Sequence, residues 1–231
     1  DPNKRLYLAK CFVVSGIHHM LRNLRKSGEE VAAYIHTIQS LATEIDRTEQ
    51  IQELMGLEGS CRKVYYEALG ILIKNGMKLD SRTKQPPKDP VNAMISFGNS
   101  LMYTAIISEI YKTVLDPTIS FLHEPSTKRF SLSLDLAEIF KPFVVDPLII
   151  SLLNNRRIQE KHFEENGDAV YLSEEGRKKF IEAFDEKMQT TIKHRKLNRN
   201  VSYRYLIRLE AYKLIKHFIG DEEYKPFKAW W

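Results

Sequence analysis

A mainly α-helical domain is predicted by three observations. Apolar residues recur at three- and four-residue intervals through most of the 231 residues. The segments so marked are separated by glycine and proline punctuation, and no long stretch alternates apolar and polar residues as a strand would. A hydrophobic fraction of 43% and a charged fraction of 28% are those of an ordinary globular chain, and the length allows one large domain or a domain with a small satellite. No apolar run approaches the roughly 20 residues that cross a bilayer, and no signal-peptide pattern is present. The start at Asp1-Pro2, without methionine, leads us to expect a natural N-terminus further upstream.

Each element has its own signals along the chain. Leu6, Ala9, Val13, Ile17, Leu21 and Leu24 mark a first long helix, stopped near Gly28. A second runs from about Glu29 to Ile45, and a third starts after Thr48 as N-cap. Gly56 and Gly59 bracket Glu58 and predict a break before a helix through Leu69. Lys84 to Pro90 holds three prolines and reads as a loop, with Pro90 in the first turn of a helix to about Val114. Asp116-Pro117 ends that helix, and His123 comes next in a connector closed by Pro125. Phe130 to Leu134 alternates over too short a span to insist on a strand. A helix then carries Asp135 onward, with Pro142 starting, kinking or dividing it. Asp168 to Tyr171 reads as a turn or short extended piece. Ser173, before Glu174 and Glu175, caps another helix, and a last one covers about Ser202 to Ile219, ending at Gly220.

Charge is unevenly spread. Residues 193–216 hold eight Lys or Arg against the single acid Glu210, a local +7, so the remainder carries about −2 by subtraction from the net +5. Lys193, Arg195, Lys196, Arg199, Arg204 and Arg208 form the candidate polyanion-binding stripe. The plainer alternative is a solvated helix face. Cys11 and Cys61 have no paired spacing, which fits buried thiols in a reducing, cytoplasmic setting.

The candidate chemistry lies in Glu58, His123, Asp135 and Glu138, with Lys141 one turn further on. Carboxylates with one imidazole suit Mg²⁺ or Mn²⁺ better than a soft metal. Asp135 and Glu138, three apart, share one helix face, and Lys141 can reach a phosphate oxygen from the next turn. Such acid–acid–lysine series are common on any solvated helix. Here, however, Leu132, Leu134, Leu136, Ile139 and Phe140 make the segment strongly apolar, and buried carboxylates are costly unless paired or metal-bound. His123 alone reads equally as a hydrogen-bonded structural histidine. The glycines beside Glu58 allow close approach of a backbone or phosphate.

Five ordered strings carry a resemblance. Leu54-Met-Gly-Leu-Glu58-Gly, Asp89-Pro-Val-Asn92 through Ser96, Asn99 and Tyr103, Leu115-Asp-Pro117, Phe121-Leu-His123 and Leu134-Asp135-Leu-Ala-Glu138-Ile-Phe-Lys141-Pro are similar to the CRISPR-associated integrase and endonuclease family Cas-one. Arg208-Leu-Glu-Ala-Tyr-Lys-Leu-Ile-Lys216 with Tyr224-Lys-Pro-Phe-Lys-Ala-Trp-Trp231 resembles the close of its type I branch. The resemblance spans residues 1–231 and corresponds to the family's C-terminal helical catalytic domain. The family's N-terminal β-rich domain, which carries much of its dimer interface, has no counterpart in it.

By this resemblance Glu58, His123 and Glu138 are metal ligands for Mg²⁺ or Mn²⁺, and Asp135 is the neighbouring acid. Glu138 stands where many members have aspartate. Lys141 contacts DNA or the reacting phosphate; Asn92, Ser96, Asn99 and Tyr103 either organise the site or pack their helix. The implied reaction is metal-assisted transesterification, joining the 3′-hydroxyl of a short DNA to a phosphodiester of the CRISPR repeat, with water as the alternative nucleophile. Implied partners are double-stranded or branched DNA, a second copy through the N-terminal domain, and the small protein "Cas-two". A DNA- or partner-binding helical module, inactive without that domain, is the second expectation. An unrelated helical domain with structural acids is the third.

Overall fold

The computed structural model describes residues 1–25, 27–79, 81–124 and 130–231. Pro125, expected to close the His123 connector, lies outside them. Helix α1 (Pro2–Leu24) starts on Asp1, whose carboxylate accepts the backbone N–H groups of Asn3 and Lys4. A 3₁₀ turn leads into α2 (Ala32–Thr43), and a second one, closed by Thr48 donating to the Ile45 carbonyl, leads to α3 (Ile51–Leu72). Its cap is Gln50, in a reciprocal capping box with Glu53, and Thr48 is not the cap.

The break predicted at Gly56 and Gly59 does not occur. Glycine weakens a helix interior by about 1 kcal/mol each relative to alanine. The capping box and the burial of Leu54, Cys61, Tyr65 and Leu69 along one face outweigh that here. Glu58 therefore projects from an unbroken helix.

Helix α4 (Pro90–Ile110) begins on Asp89 with Pro90 in its first turn, as predicted. Helix α5 (Ser131–Phe140) starts within the alternating Phe130 to Leu134 stretch, so that stretch is helical. Pro142 separates α5 from the next helix. It has no N–H to donate, the ladder opens into a π-helical turn (Lys141–Val145), and the Asp146 N–H reaches back to the Lys141 carbonyl. Helix α6 (Asp146–Asn154) continues from that turn.

Among the described residues two antiparallel hairpins join the helices: β1 (Phe163–Asn166) with β2 (Ala169–Leu172), and β3 (Thr191–His194) with β4 (Arg199–Ser202). Between them lies α7 (Glu174–Gln189), capped by Ser173. Helix α8 (Tyr203–Phe218) comes last.

The core is a layer of packed helices. Helix α1 lies on α3 and α5, while α4 lies on α5 and α8. The α1–α5 approach is close because of Gly16: a Cβ there would stand 2.7 Å from the Glu138 carbonyl oxygen. The final segment threads back along α1. The Tyr224 hydroxyl donates to buried Glu210 at 2.5 Å, and the Ala229 N–H donates to His19 Nε2 at 3.1 Å. Among the described residues no helix is long and apolar enough to cross a membrane. Cys61 is buried and Cys11 half-buried, both as free thiols.

Candidate active site

Side chains from α3 and the end of α5 meet at one guanidinium. Arg62, one helical turn after Glu58, lies 2.5 Å through Nε from Glu58 Oε1, and its Nη2 donates to Glu138 Oε2. On the other side of Glu138, Lys141 Nζ lies 2.6 Å from Oε1. Glu138 and Lys141 are 5% and 7% exposed, so this is an interior ion cluster. Burial works to raise the Glu138 carboxyl. The Arg62 guanidinium and the Lys141 ammonium outweigh it, with His123 adding to them, and its pKa falls to about 2. Burial likewise works to lower the Lys141 pKa; Glu138 outweighs it and moves it up.

Asp135 does a different job. Fully buried, it accepts the backbone N–H groups of Phe121 (2.6 Å), Leu122 (3.1 Å) and His123 (3.0 Å), and Oδ1 lies 2.8 Å from His123 Nδ1. Its acceptor capacity is spent on holding the 121–123 connector. With a carboxylate as partner, Nδ1 carries the proton and Nε2 presents its lone pair, the arrangement by which ligating histidines are fixed. The His123 side chain remains 28% exposed. The connector is further tied to α1 by Arg5, whose Nε donates to the Phe121 carbonyl at 2.7 Å.

The structure thus brings Glu58, Glu138 and Lys141 together, with His123 within electrostatic reach, and assigns Asp135 to the support of His123. Among the described residues no three His, Cys, Asp or Glu side chains form a cluster ready for a metal. Arg62 and Lys141 supply the positive charge between and beside the carboxylates. The donor chemistry nevertheless fits a hard divalent cation: two carboxylates and an imidazole with its orientation fixed.

Arg62, Arg82 and Asp146 are absent from the predicted set. Arg62 is readable as a cation four residues after Glu58 on a helix. Asp146 is the lone acid in the apolar run Phe143-Val-Val-Asp-Pro-Leu-Ile-Ile150. Arg82 depends on Asn92, which is fully buried: its Oδ1 accepts from Arg82 Nη1 at 2.7 Å and from the Thr83 N–H at 3.0 Å. Ser96 Oγ accepts from Arg82 Nη2 at 3.0 Å. Tyr103 sits with the Lys141 ammonium 5.7 Å from its ring centroid. The Asn99 Oδ1 is buried without a hydrogen bond.

The basic stripe divides in two. Arg208 Nε lies 2.8 Å from the fully buried Glu109, and Arg204 lies 3.6 Å from Asp185, so acids from α4 and α7 partly neutralise the stripe. Lys193, Arg195, Lys196 and Arg199 sit exposed on or next to the β3–β4 hairpin, an element absent from the sequence-based expectation. Arg195 lies over Trp230 at 5.1 Å and Arg199 over Tyr205 at 5.4 Å, and Lys196 has only a loose 4.0 Å contact with Glu222.

This mainly helical fold is shared with solved structures of other proteins. The family description "CRISPR associated protein Cas1" matches residues 1–186. The CRISPR-associated endonuclease Cas1 of Clostridium perfringens is 54% identical over 230 residues, covering 98% of this chain and 70% of that protein. A Cas1 protein from Thermotoga maritima superposes with a TM-score of 0.87 at 40% identity, over 96% of this chain and 67% of that one. A casposase bound to its integration product shares the fold, with a TM-score of 0.86 at 22% identity over 98% of this chain and 64% of that one. The chain belongs to the Cas1 family. The expectation of an unrelated helical domain is thereby overturned.

Proposed function

We propose that this chain acts as a metal-dependent DNA endonuclease and integrase of CRISPR adaptation, inserting short foreign DNA into the CRISPR array by transesterification. One observation carries the reading: in a chain of the Cas1 family, carboxylates from two helices converge on one guanidinium, within electrostatic reach of an imidazole whose Nδ1 is held by Asp135. Glu58, Glu138 and Nε2 of His123 would hold Mg²⁺ or Mn²⁺. When bound, the ion supplies Lewis-acid stabilisation of the negative charge that develops at the reacting phosphate. Lys141, kept protonated by Glu138, offers a cation to a phosphate oxygen. Lys193, Arg195, Lys196 and Arg199 provide phosphate contacts that position DNA without reading its sequence. Arg204 and Arg208, held by acids, shape that surface. The proposed partners are double-stranded or branched DNA, the small protein Cas-two, and a second copy through the family's N-terminal domain. Assignment to the type I branch rests on the C-terminal resemblance.

The test is Mn²⁺-dependent cleavage of labelled DNA by the wild type and by Glu58→Ala. Loss of more than about 100-fold in rate with DNA affinity retained is expected, a removed ligand costing at least what an outer partner does. Cleavage that survives the substitution would falsify the assignment.

A second reading is favoured by the placement of Arg62 between the carboxylates: a DNA- or partner-binding module with no activity of its own. It predicts that neutralising Arg195, Lys196 and Arg199 together removes affinity while no catalysis is detectable in any variant.

A further inference from the structure

The proposed reaction leaves one buried acid unused. Asp146 opens α6 directly after the π-helical turn, is fully buried, and has a hydrogen-bond partner on neither carboxylate oxygen. The Tyr65 hydroxyl acts on it from outside hydrogen-bonding geometry. Arg62 Nη1 is likewise buried and unpartnered, although Nε and Nη2 of the same guanidinium hold Glu58 and Glu138. The two orphaned groups feel each other. Burial pushes the Asp146 carboxyl up to about 6, and Arg62 is the strongest influence opposing it, ahead of Lys141 and Arg82.

The charge balance gives this pairing a purpose. Glu58, Glu138 and Asp146 face the cations Arg62, Lys141 and Arg82, with Lys84 and Asp89 at the edge of the same cluster. Glu58 and Glu138, if they held a divalent cation, would have to release the guanidinium that now lies between them. A guanidinium left inside without an acid is strongly unfavourable. We infer that Asp146 is a positioning residue for metal entry, taking over the Arg62 guanidinium when a divalent cation claims Glu58 and Glu138. The inference rests on the metal reading above and adds to it a place for the displaced charge.

Mn²⁺ affinity, read from the electron paramagnetic resonance signal of free Mn²⁺, tests it without reference to catalysis. The wild type, Asp146→Asn, Arg62→Met and the double variant are compared. Asp146→Asn weakens Mn²⁺ binding about tenfold, the scale of coupling between residues of one network. Arg62→Met tightens binding, because nothing needs displacing. In the Arg62→Met background the Asp146→Asn effect shrinks to less than about twofold. Equal weakening in both backgrounds means that Asp146 acts through space alone and overturns the inference. So does unchanged affinity in Asp146→Asn. If Asp146→Asn does not fold, Asp146→Ser is read in the same way. A wild type that binds no Mn²⁺ overturns the metal reading itself.

Discussion

Asp146 and Glu138 are interior carboxylates that titrate in opposite directions. The Asp146 pKa is raised to about 6, so the folded state holds its proton more tightly than the unfolded chain does. Stability from this group is present below the usual carboxylate range and is lost as pH rises through about 6. Asp146→Asn should therefore stabilise the metal-free protein by about 2–3 kcal/mol at pH 8 and make no difference near pH 3.5, as measured by chemical denaturation. For Glu138, depressed to about 2, the stabilisation is present above the usual range and lost as pH falls toward 2. Asp135 predicts a larger effect. Its carboxylate accepts three backbone N–H groups and faces His123 Nδ1, so Asp135→Asn should cost at least about 3 kcal/mol and loosen the imidazole. Denaturation midpoints, with protection of the Phe121–His123 amides from exchange, check it.

At the scale of elements, Gly16 sets how close α1 comes to α5. Gly16→Ala forces its new methyl against the Glu138 carbonyl, so the helices must part. A loss of about 1–3 kcal/mol is expected, together with lower DNA cleavage even where the protein is folded, because Glu138 moves with its backbone. Much of this arrangement was legible in the sequence. Pro90 in the first turn of α4, the Ser173 cap of α7, the long apolar helices and the acids at 135 and 138 are all signalled by spacing and punctuation. The continuous α3 was missed because two glycines in a local window outweigh, on paper, a capping box and a buried face that only packing brings into play. Of the first hairpin only the short extended piece at Asp168 to Tyr171 was read, and the second was missed, because strands of four residues hold too little alternation, although Asn166-Gly167, with Gly167 at φ +61°, is a turn signal. Arg62 was missed because a cation near an acid reads as a surface pair until burial is known.

At the scale of the molecule, the fold places an interior acid–base cluster and an exposed cationic hairpin on one chain. Charge counted along the sequence leaves out the partners that packing supplies, since Glu109 and Asp185 from distant helices partly offset Arg208 and Arg204. The hairpin end should dominate DNA affinity. Neutralising Arg195, Lys196 and Arg199 should weaken binding for all DNA sequences alike and lower the slope of log affinity against log salt by about 3. Fluorescence anisotropy over a salt series measures it, and an unchanged slope would remove the hairpin from the interface.

The most direct test of the account is strand transfer or cleavage on branched, labelled DNA in Mn²⁺, Mg²⁺ and EDTA, comparing this chain with His123→Ala while DNA binding is monitored in the same samples. Activity that needs the metal and disappears in His123→Ala, with binding intact, is expected. Activity in EDTA, or activity undiminished by His123→Ala, would contradict it. No activity in either protein, with DNA still bound, would make this chain the binding module of the second reading.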